Sequence, residues 1–262
     1  MNEKTLVLKF GGAALATPAH FANVADLIIQ KRAQYDSIVV VVSAAEKMTD
    51  QLISFAHQIH PNPPQREYDM LISCGERMSM ALLAMALCNK QCEAISFTGS
   101  QSGIITCDSH ANAHVIDVRP QRLEECLLQG KIVIVAGFQG VSLKKEITTL
   151  GRGGSDTSAV ALALALKACK VEFFKDVPGV FEHDPKTHSQ TSPYNYLNYD
   201  DMLKIVQNGA KILHKRAIEL AAKNGLFLHI RSFCPEHREC LGTEIFDKNK
   251  PRNVIPIYEL VT

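Results

Sequence analysis

The chain has no dominant charge. Its 28 basic residues face 27 acidic ones across 262 positions, a formal net charge of +1. That balance excludes a broad basic surface for nucleic acid and an acidic tail. No C-x-x-C pair occurs among its eight cysteines, at 74, 88, 92, 107, 126, 169, 234 and 240. With no leader-like start, this pattern reads as reduced core thiols of a cytoplasmic protein rather than a disulfide framework or a zinc site. Cys88 and Cys92 fall four apart in an apolar helical stretch, and His183 and His188 are too isolated for a metal cage. No uninterrupted apolar run nears the roughly 20 residues of a bilayer span, so no membrane partner is expected. There is no internal repeat, no G-x-x-x-x-G-K-[ST] loop and no Ser-His-Asp pattern.

What is present is an α/β alternation. Apolar residues make up 46% and charged ones 21%, enough for a substantial core. Runs at Leu6–Phe10, Ser37–Val42, Glu93–Phe97, Ile132–Ala136, Val171–Phe174 and Leu226–Ile230 read as strands. "SIVVVV" at 37–42 is continuously apolar, as in a strand covered on both faces. Helices are expected after Thr17-Pro18, from about Thr49, over Glu76 to Leu87, and over Ser155–Lys170, Asp200–Gln207 and Lys211–Lys223. "AVALALALKAC" alternates like a strand, but its length, alanine content and Gly-Gly-Ser-Asp start favour a buried helix. The pattern predicts one domain with a mainly parallel central sheet sandwiched between helices, an αβα arrangement.

Four segments carry chemistry. Lys9-Phe10-Gly11-Gly12 closes the first strand, where open α/β sheets collect ligands. Glycine lets backbone N–H groups approach an anion and lysine adds a full charge, so the motif suits phosphate, while a tight turn with a surface lysine is an equal alternative. Gly151-Arg152-Gly153-Gly154-Ser155-Asp156 runs into a helix start, with unpaired N–H groups, a positive dipole end and an arginine able to grip a carboxylate. There Asp156 caps the helix or holds cationic side chains in place. Lys175-Asp176-Val177-Pro178-Gly179 ends a strand in a turn that suits a nucleotide pocket or is an ordinary turn. Asn208-Gly209-Ala210-Lys211 enters a predicted helix with a lysine in its first turn, where cations are disfavoured, so the lysine is either paired with an anion or simply solvated.

Taken together, the blocks resemble the amino-acid kinase superfamily, and within it the catalytic domain of aspartokinase. They are "KFGG" at 9–12, "VVVVSAAEKMTDQL" at 39–52, "CGERMSM" at 74–80, "SQSGIIT" at 100–106, "AGFQG" at 136–140, "TTLGRGGSDTSA" at 148–159, "DVPGVFEHDPK" at 176–186, "GAKILH" at 209–214 and "RSFCPE…GTEI" at 231–245. The resemblance implies transfer of the ATP γ-phosphoryl group to the side-chain carboxylate of L-aspartate, the first step toward lysine, threonine, methionine and diaminopimelate. It implies that Lys9 and Lys211 neutralise the phosphates, with Asp156 between them, and that Gly11 and Gly12 donate N–H groups. Arg152 would take the α-carboxylate and Glu76 the α-ammonium, with Thr49, Phe138 and Ser155 in the acceptor pocket. Lys175, Asp176, Gly179, Asp184 and Lys186 match the nucleotide side, and Mg²⁺ would be held by ATP oxygens and water rather than by a protein cage. Residues from about 1 to 150 would form the amino-acid lobe and those from about 151 to 262 the nucleotide lobe, in a homodimer without a regulatory domain. A carboxylate, already ionised at neutral pH, needs no general base, which fits the lack of a catalytic histidine pattern.

The chain also departs from the family it resembles. Ala13-Ala14 stand where that family usually has Thr-Ser, Ser43-Ala44-Ala45-Glu46-Lys47 where it has Ser-Ala-Ser-Ala-Gly, and Lys175 where it has threonine. Two alternatives follow: a kinase of the same fold acting on another carboxylate, or a non-catalytic binding subunit. Retention of Lys9, Asp156 and Lys211 weighs against the second.

Overall fold

A computed structural model describes residues 4–182, 191–237 and 239–259. The first apolar run forms β1 (Thr5–Phe10), and Thr17 caps α1 (Pro18–Arg32), accepting from the His20 N–H. The run at β2 (Ser37–Val42) is buried at every position. Then come α2 (Met48–Ile59), α3 (Gln65–Ile72), α4 (Cys74–Asn89), β3 (Ala94–Phe97), β4 (Ile104–Thr106), β5 (Val115–Val118), α5 (Gln121–Leu128) and β6 (Ile132–Ala136). After these lie β7 (Gln139–Ser142), β8 (Ile147–Thr149), α6 (Gly154–Ala165), β9 (Lys170–Lys175), β10 (Tyr196–Leu197), α7 (Tyr199–Gln207), α8 (Lys215–Asn224), β11 (Leu228–Ser232) and β12 (Thr243–Ile245).

Eight strands form one sheet in the order β10-β12-β11-β9-β1-β2-β6-β3, parallel except where β11 meets β12. Alternation along the strands splits the core in two. Leu6, Leu8, Phe10, Val40, Val42 and Ile134 pack with α1 and α4, whereas Val7, Val39, Val41, Val135 and Phe173 pack with α6 and α8. The predicted mainly parallel sheet between helical layers is therefore present.

Several details differ from the sequence reading. A second sheet, β5-β4-β7-β8, went unpredicted because its strands are only three or four residues long. Helix α6 stops at Ala165 and Lys170 already belongs to β9. Helix α8 starts at Lys215, which leaves Lys211 in the preceding loop, and β11 starts at Leu228. Of the eight thiols only Cys92 is buried, beyond the end of α4, while Cys74, Cys88, Cys169 and Cys240 are exposed. Helices α3 and α4 together, Gln65–Asn89, are long and apolar enough to cross a membrane by length and composition. Here they pack on the domain, α4 against α1, β3 and β6, with Asp69 and Glu76 buried.

Lys47 precedes α2 with φ 64°, in the left-handed region that favours glycine. The family it resembles carries glycine at this position. A side chain there costs roughly 1–2 kcal/mol, against about 0.5–1 kcal/mol of extra chain entropy for glycine. Lys47→Gly should therefore stabilise the protein by about 0.5–1 kcal/mol, read as a higher urea midpoint at unchanged slope.

Candidate active site

Lys9 reaches the site by strand alternation. It shares a face with Val7, on the α6 side of the sheet, and sits one residue before the end of β1. There it meets Asp156 in the first turn of α6, with Nζ 2.7 Å from Oδ1. Lys175, two residues past Phe173 on the same face of neighbouring β9, brings its Nζ to 3.7 Å from Oδ2 of the same carboxylate. The backbone N–H of His214 also donates to Asp156. Burial works against charge on Asp156, but Lys175 and Lys9 overcome it and hold the group at about 2. Lys175 is drawn down to about 8, by burial first and then by Lys9, against the pull of Asp156. At neutral pH two ammonium groups thus share one carboxylate, leaving a positive surplus at the helix N-terminus. Such a surplus attracts an anion.

Two glycines shape this end. A Cβ on Gly12 would lie 2.7 Å from the Ala44 carbonyl, so only glycine lets the 43–46 segment pass. Gly153 has φ 71°, and the His214 ring lies over the place its side chain would take. Gly11 has open space above it, and the nearest atom to a Cβ there would be Lys9 Nζ at 3.8 Å.

A cavity of about 720 Å³ opens beside the lysine pair. Glu76, in the first turn of α4, is 3% exposed; its Oε1 accepts from the Ala44 N–H at 3.0 Å, and its Oε2 has no partner among the described residues. Burial raises Glu76 to about 7, with the Ala44 N–H and Lys9 pulling the other way. Arg152 stands exposed at the rim, with no ion pair among the described residues. Phe138 lines the wall at φ 69°, pinned by its N–H to Ser158 Oγ (3.0 Å) and by its carbonyl, which accepts from the Leu150 N–H (2.8 Å). A strained backbone position of this kind persists only where its surroundings dictate it.

Of the candidates named from sequence, Lys9, Thr49, Glu76, Phe138, Arg152, Ser155 and Asp156 line this one cavity. Lys175 joins them through Asp156. Lys211 does not line it; it is exposed in the 208–214 loop, and among the described residues the second ammonium on Asp156 is that of Lys175. Asp176 and Gly179 follow β9 outside the lining, and Gly179 is packed so closely that a Cβ would sit 2.7 Å from Thr243 Oγ1. Asp184 and Lys186 lie outside the described residues.

The departures resolve unevenly. Ala14 is buried in the core with Phe10 and Phe174, so a hydroxyl there would not face the cavity, while Ala13 is exposed. Sequence reasoning passed over Asp69. This fully buried carboxylate on α3 accepts from Thr149 Oγ1 at 2.5 Å, from the Ala111 N–H at 3.0 Å and pairs with His110 Nδ1 at 2.7 Å. It fixes the strand that leads into Gly151. The spacing 69, 72, 76 places an acid, an isoleucine and an acid on one helical face, a signal that was available.

Glu76 yields a test. A carboxylate whose pKa is raised on folding stabilises least when ionised, so its contribution falls as pH rises from about 4.5 through 7. Glu76→Gln should be more stable than the parent by about 2–3 kcal/mol at pH 8, with most of that gain gone at pH 5. Urea unfolding at the two pH values reads the difference.

The chain is similar to known proteins in sequence and in fold. Residues 4–232 match the amino acid kinase family. The aspartokinase of Bacillus sp. (strain MGA3) is 47% identical over 227 residues, 87% of this chain and 55% of that one. The crystal structure of aspartate kinase from Synechocystis superposes with a TM-score of 0.83 at 44% identity, covering 98% of this chain and 42% of that one. E. coli aspartokinase III, crystallised with aspartate and ADP, has the same fold, with a TM-score of 0.83 at 24% identity over 94% of this chain and 65% of that one. The chain spans a little over half the length of the curated relatives it matches. By the family match across most of its length, this chain belongs to the amino acid kinase family.

Proposed function

We propose that this chain transfers the γ-phosphoryl group of ATP to the side-chain carboxylate of L-aspartate, giving 4-phospho-L-aspartate. The observation that carries this reading is one cavity lined by Lys9 and Asp156, with Lys175 joined to them through Asp156, beside the oxygen of Glu76 and the guanidinium of Arg152 that have no partner among the described residues. Glu76 and Arg152 would read the ammonium and carboxylate ends of an α-amino acid. The acceptor is an ionised nucleophile that needs no base, so the barrier is the approach of two anions. Lys9 and Lys175 lower it by neutralising phosphate oxygens, and the Gly11 and Gly12 N–H groups face the transferring group.

Thr49, Phe138 and Ser155 wall the acceptor side. Residues from about 151 onward supply the nucleotide lobe, with Asp176, Gly179, Asp184 and Lys186. Lys211 acts from its loop, which already touches Asp156 through the His214 N–H. The described lining offers no carboxylate cluster to cage Mg²⁺, since Asp156 is engaged by two lysines. An ion carried on ATP oxygens fits these residues and would add charge neutralisation. Met78, Leu82 and Met85 lie exposed along one face of α4, a seat for a second copy in a homodimer. Eight free thiols suit a reducing cytoplasm.

The test is ADP release from Mg-ATP across a panel of carboxylic amino acids, with hydroxylamine trapping the acyl phosphate. Turnover with aspartate alone is expected. Turnover with a different acid reassigns the acceptor, and none with any acid makes the chain a binding subunit. Lys9→Ala should cut kcat by about 100-fold or more. Arg152→Ala should raise KM for the amino acid by roughly tenfold or more with a smaller effect on kcat. Because Glu76 binds an ammonium only when ionised, KM for aspartate should rise as pH falls below about 7. A KM flat between pH 5.5 and 8 would remove Glu76 from ammonium binding.

A further inference from the structure

Outside the cavity, the connection from β11 to β12 gathers a second set of reactive side chains. Cys234, Glu236 and His237 present a thiol, a carboxylate oxygen and an imidazole nitrogen within 4.8 Å of one another. Among the described residues this is the group of three or more histidine, cysteine and acidic side chains close enough to share a metal ion. All three come from four consecutive residues, Cys234 and the short 3-10 turn Pro235–His237 that follows it. Little chain entropy is lost in bringing such near neighbours together.

The surroundings hold the set in place. The Ser232 hydroxyl accepts from the Cys234 N–H at 3.1 Å and lies 3.3 Å from His237 Nδ1, which fixes the ring as an outer partner of a metal-bound histidine does. The His237 N–H donates to the Cys234 carbonyl at 3.1 Å, closing the turn. Glu236 is exposed and Cys234 and His237 are half-buried, so an ion can enter from solvent. Thiolate, imidazole and carboxylate together are the donor set of Zn²⁺ and its neighbours, and a hard ion such as Mg²⁺ is poorly served by a thiolate.

We propose that Cys234, Glu236 and His237 form a binding site for one divalent transition-metal ion of the Zn²⁺ type, with a fourth position left to water. The site is structural. Its loop is tied to the end of β9, because the Phe233 N–H donates to the Lys175 carbonyl at 3.0 Å and the Ser232 hydroxyl to the same carbonyl at 3.3 Å. Cys234 Sγ lies 3.8 Å from the Asp176 carbonyl, a contact its S–H gives up when the thiol ionises to bind the metal. An ion here would brace the backbone that carries Lys175 to Asp156. The inference stands whether or not aspartate is the acceptor, since nothing in it depends on the bound substrate.

The experiment uses the whole chain, stripped of metal with a chelator and titrated with Co²⁺ as a spectroscopic probe. One Co²⁺ per chain with a thiolate-to-cobalt charge-transfer band, displaced by Zn²⁺, is expected. Cys234→Ser should abolish the band, and His237→Ala and Glu236→Gln should each weaken affinity by at least about tenfold. Cys74→Ser, removing an exposed thiol far along the sequence on α4, should leave the band unchanged. Far-ultraviolet circular dichroism checks that each variant is folded. A band that survives Cys234→Ser, a band lost in Cys74→Ser, or no band at all would overturn the proposal.

Discussion

The buried carboxylate of Asp156 is the constraint on which the rest depends. A charge at this depth costs several kcal/mol unless it is paired. The fold answers it from three directions: the end of β1 through Lys9, the end of β9 through Lys175, and the His214 N–H at the entry to α8. Its place in the first turn of α6 adds the favourable end of that helix dipole. One side chain therefore sets the relative positions of two central strands and two helices. The ammonium groups it gathers are held where they cannot drift into solvent.

A cluster of two lysines and an acid does not make a site by itself, and the molecule contains its own control. Two residues into β9, Glu172 is fully buried and takes Lys31 at 2.6 Å and Lys170 at 2.7 Å. Burial opposes its charge, yet His229, Lys31 and Lys170 together hold it far below the usual carboxylate range. There the cations are occupied by the protein, since Lys170 also lies over the Phe227 ring at 5.8 Å and bonds to Tyr35. At the Asp156 end the neighbours are different: glycine-rich backbone, a helix N-terminus and the open oxygen of Glu76. The surroundings leave surplus charge facing a cavity at one end and absorb it in packing at the other.

Much of this was legible in the sequence, for identifiable reasons. The strands β2 and β6 are sandwiched on both faces, so their apolar runs are continuous and their limits clear, and β1 is broken only by Lys9. The cavity residues fall in blocks dense with glycine, arginine and acid, which few structural roles demand. The small sheet was not legible, because strands of three or four residues carry too little of a period. Neither was the identity of the second cation on Asp156. Lys175 and Lys211 both sit near plausible anion sites in the sequence, and only the register of β9 against β1 puts the first on the right face. Ala14 is a different case: it stands where the resembled family usually has a hydroxyl, but the position fills the core with Phe10 and Phe174.

The rim containing Arg152 is held from two remote places, and this explains how an exposed residue can be positioned. On one side Asp69 grips Thr149 and the Ala111 N–H. On the other, Arg216 donates to the Leu150 carbonyl while Glu259 binds its guanidinium through both oxygens at 2.7 and 2.9 Å. Thr149 and Leu150 directly precede Gly151-Arg152-Gly153, so the loop hangs between a helix of the first half and the segment at 259. Among the described residues Arg152 has no ion pair, and its loop is held by backbone anchors rather than by contacts of its own. A loop fastened this way keeps its register without help from Arg152, because the bonds that define its position lie at Thr149, Leu150 and Ala111.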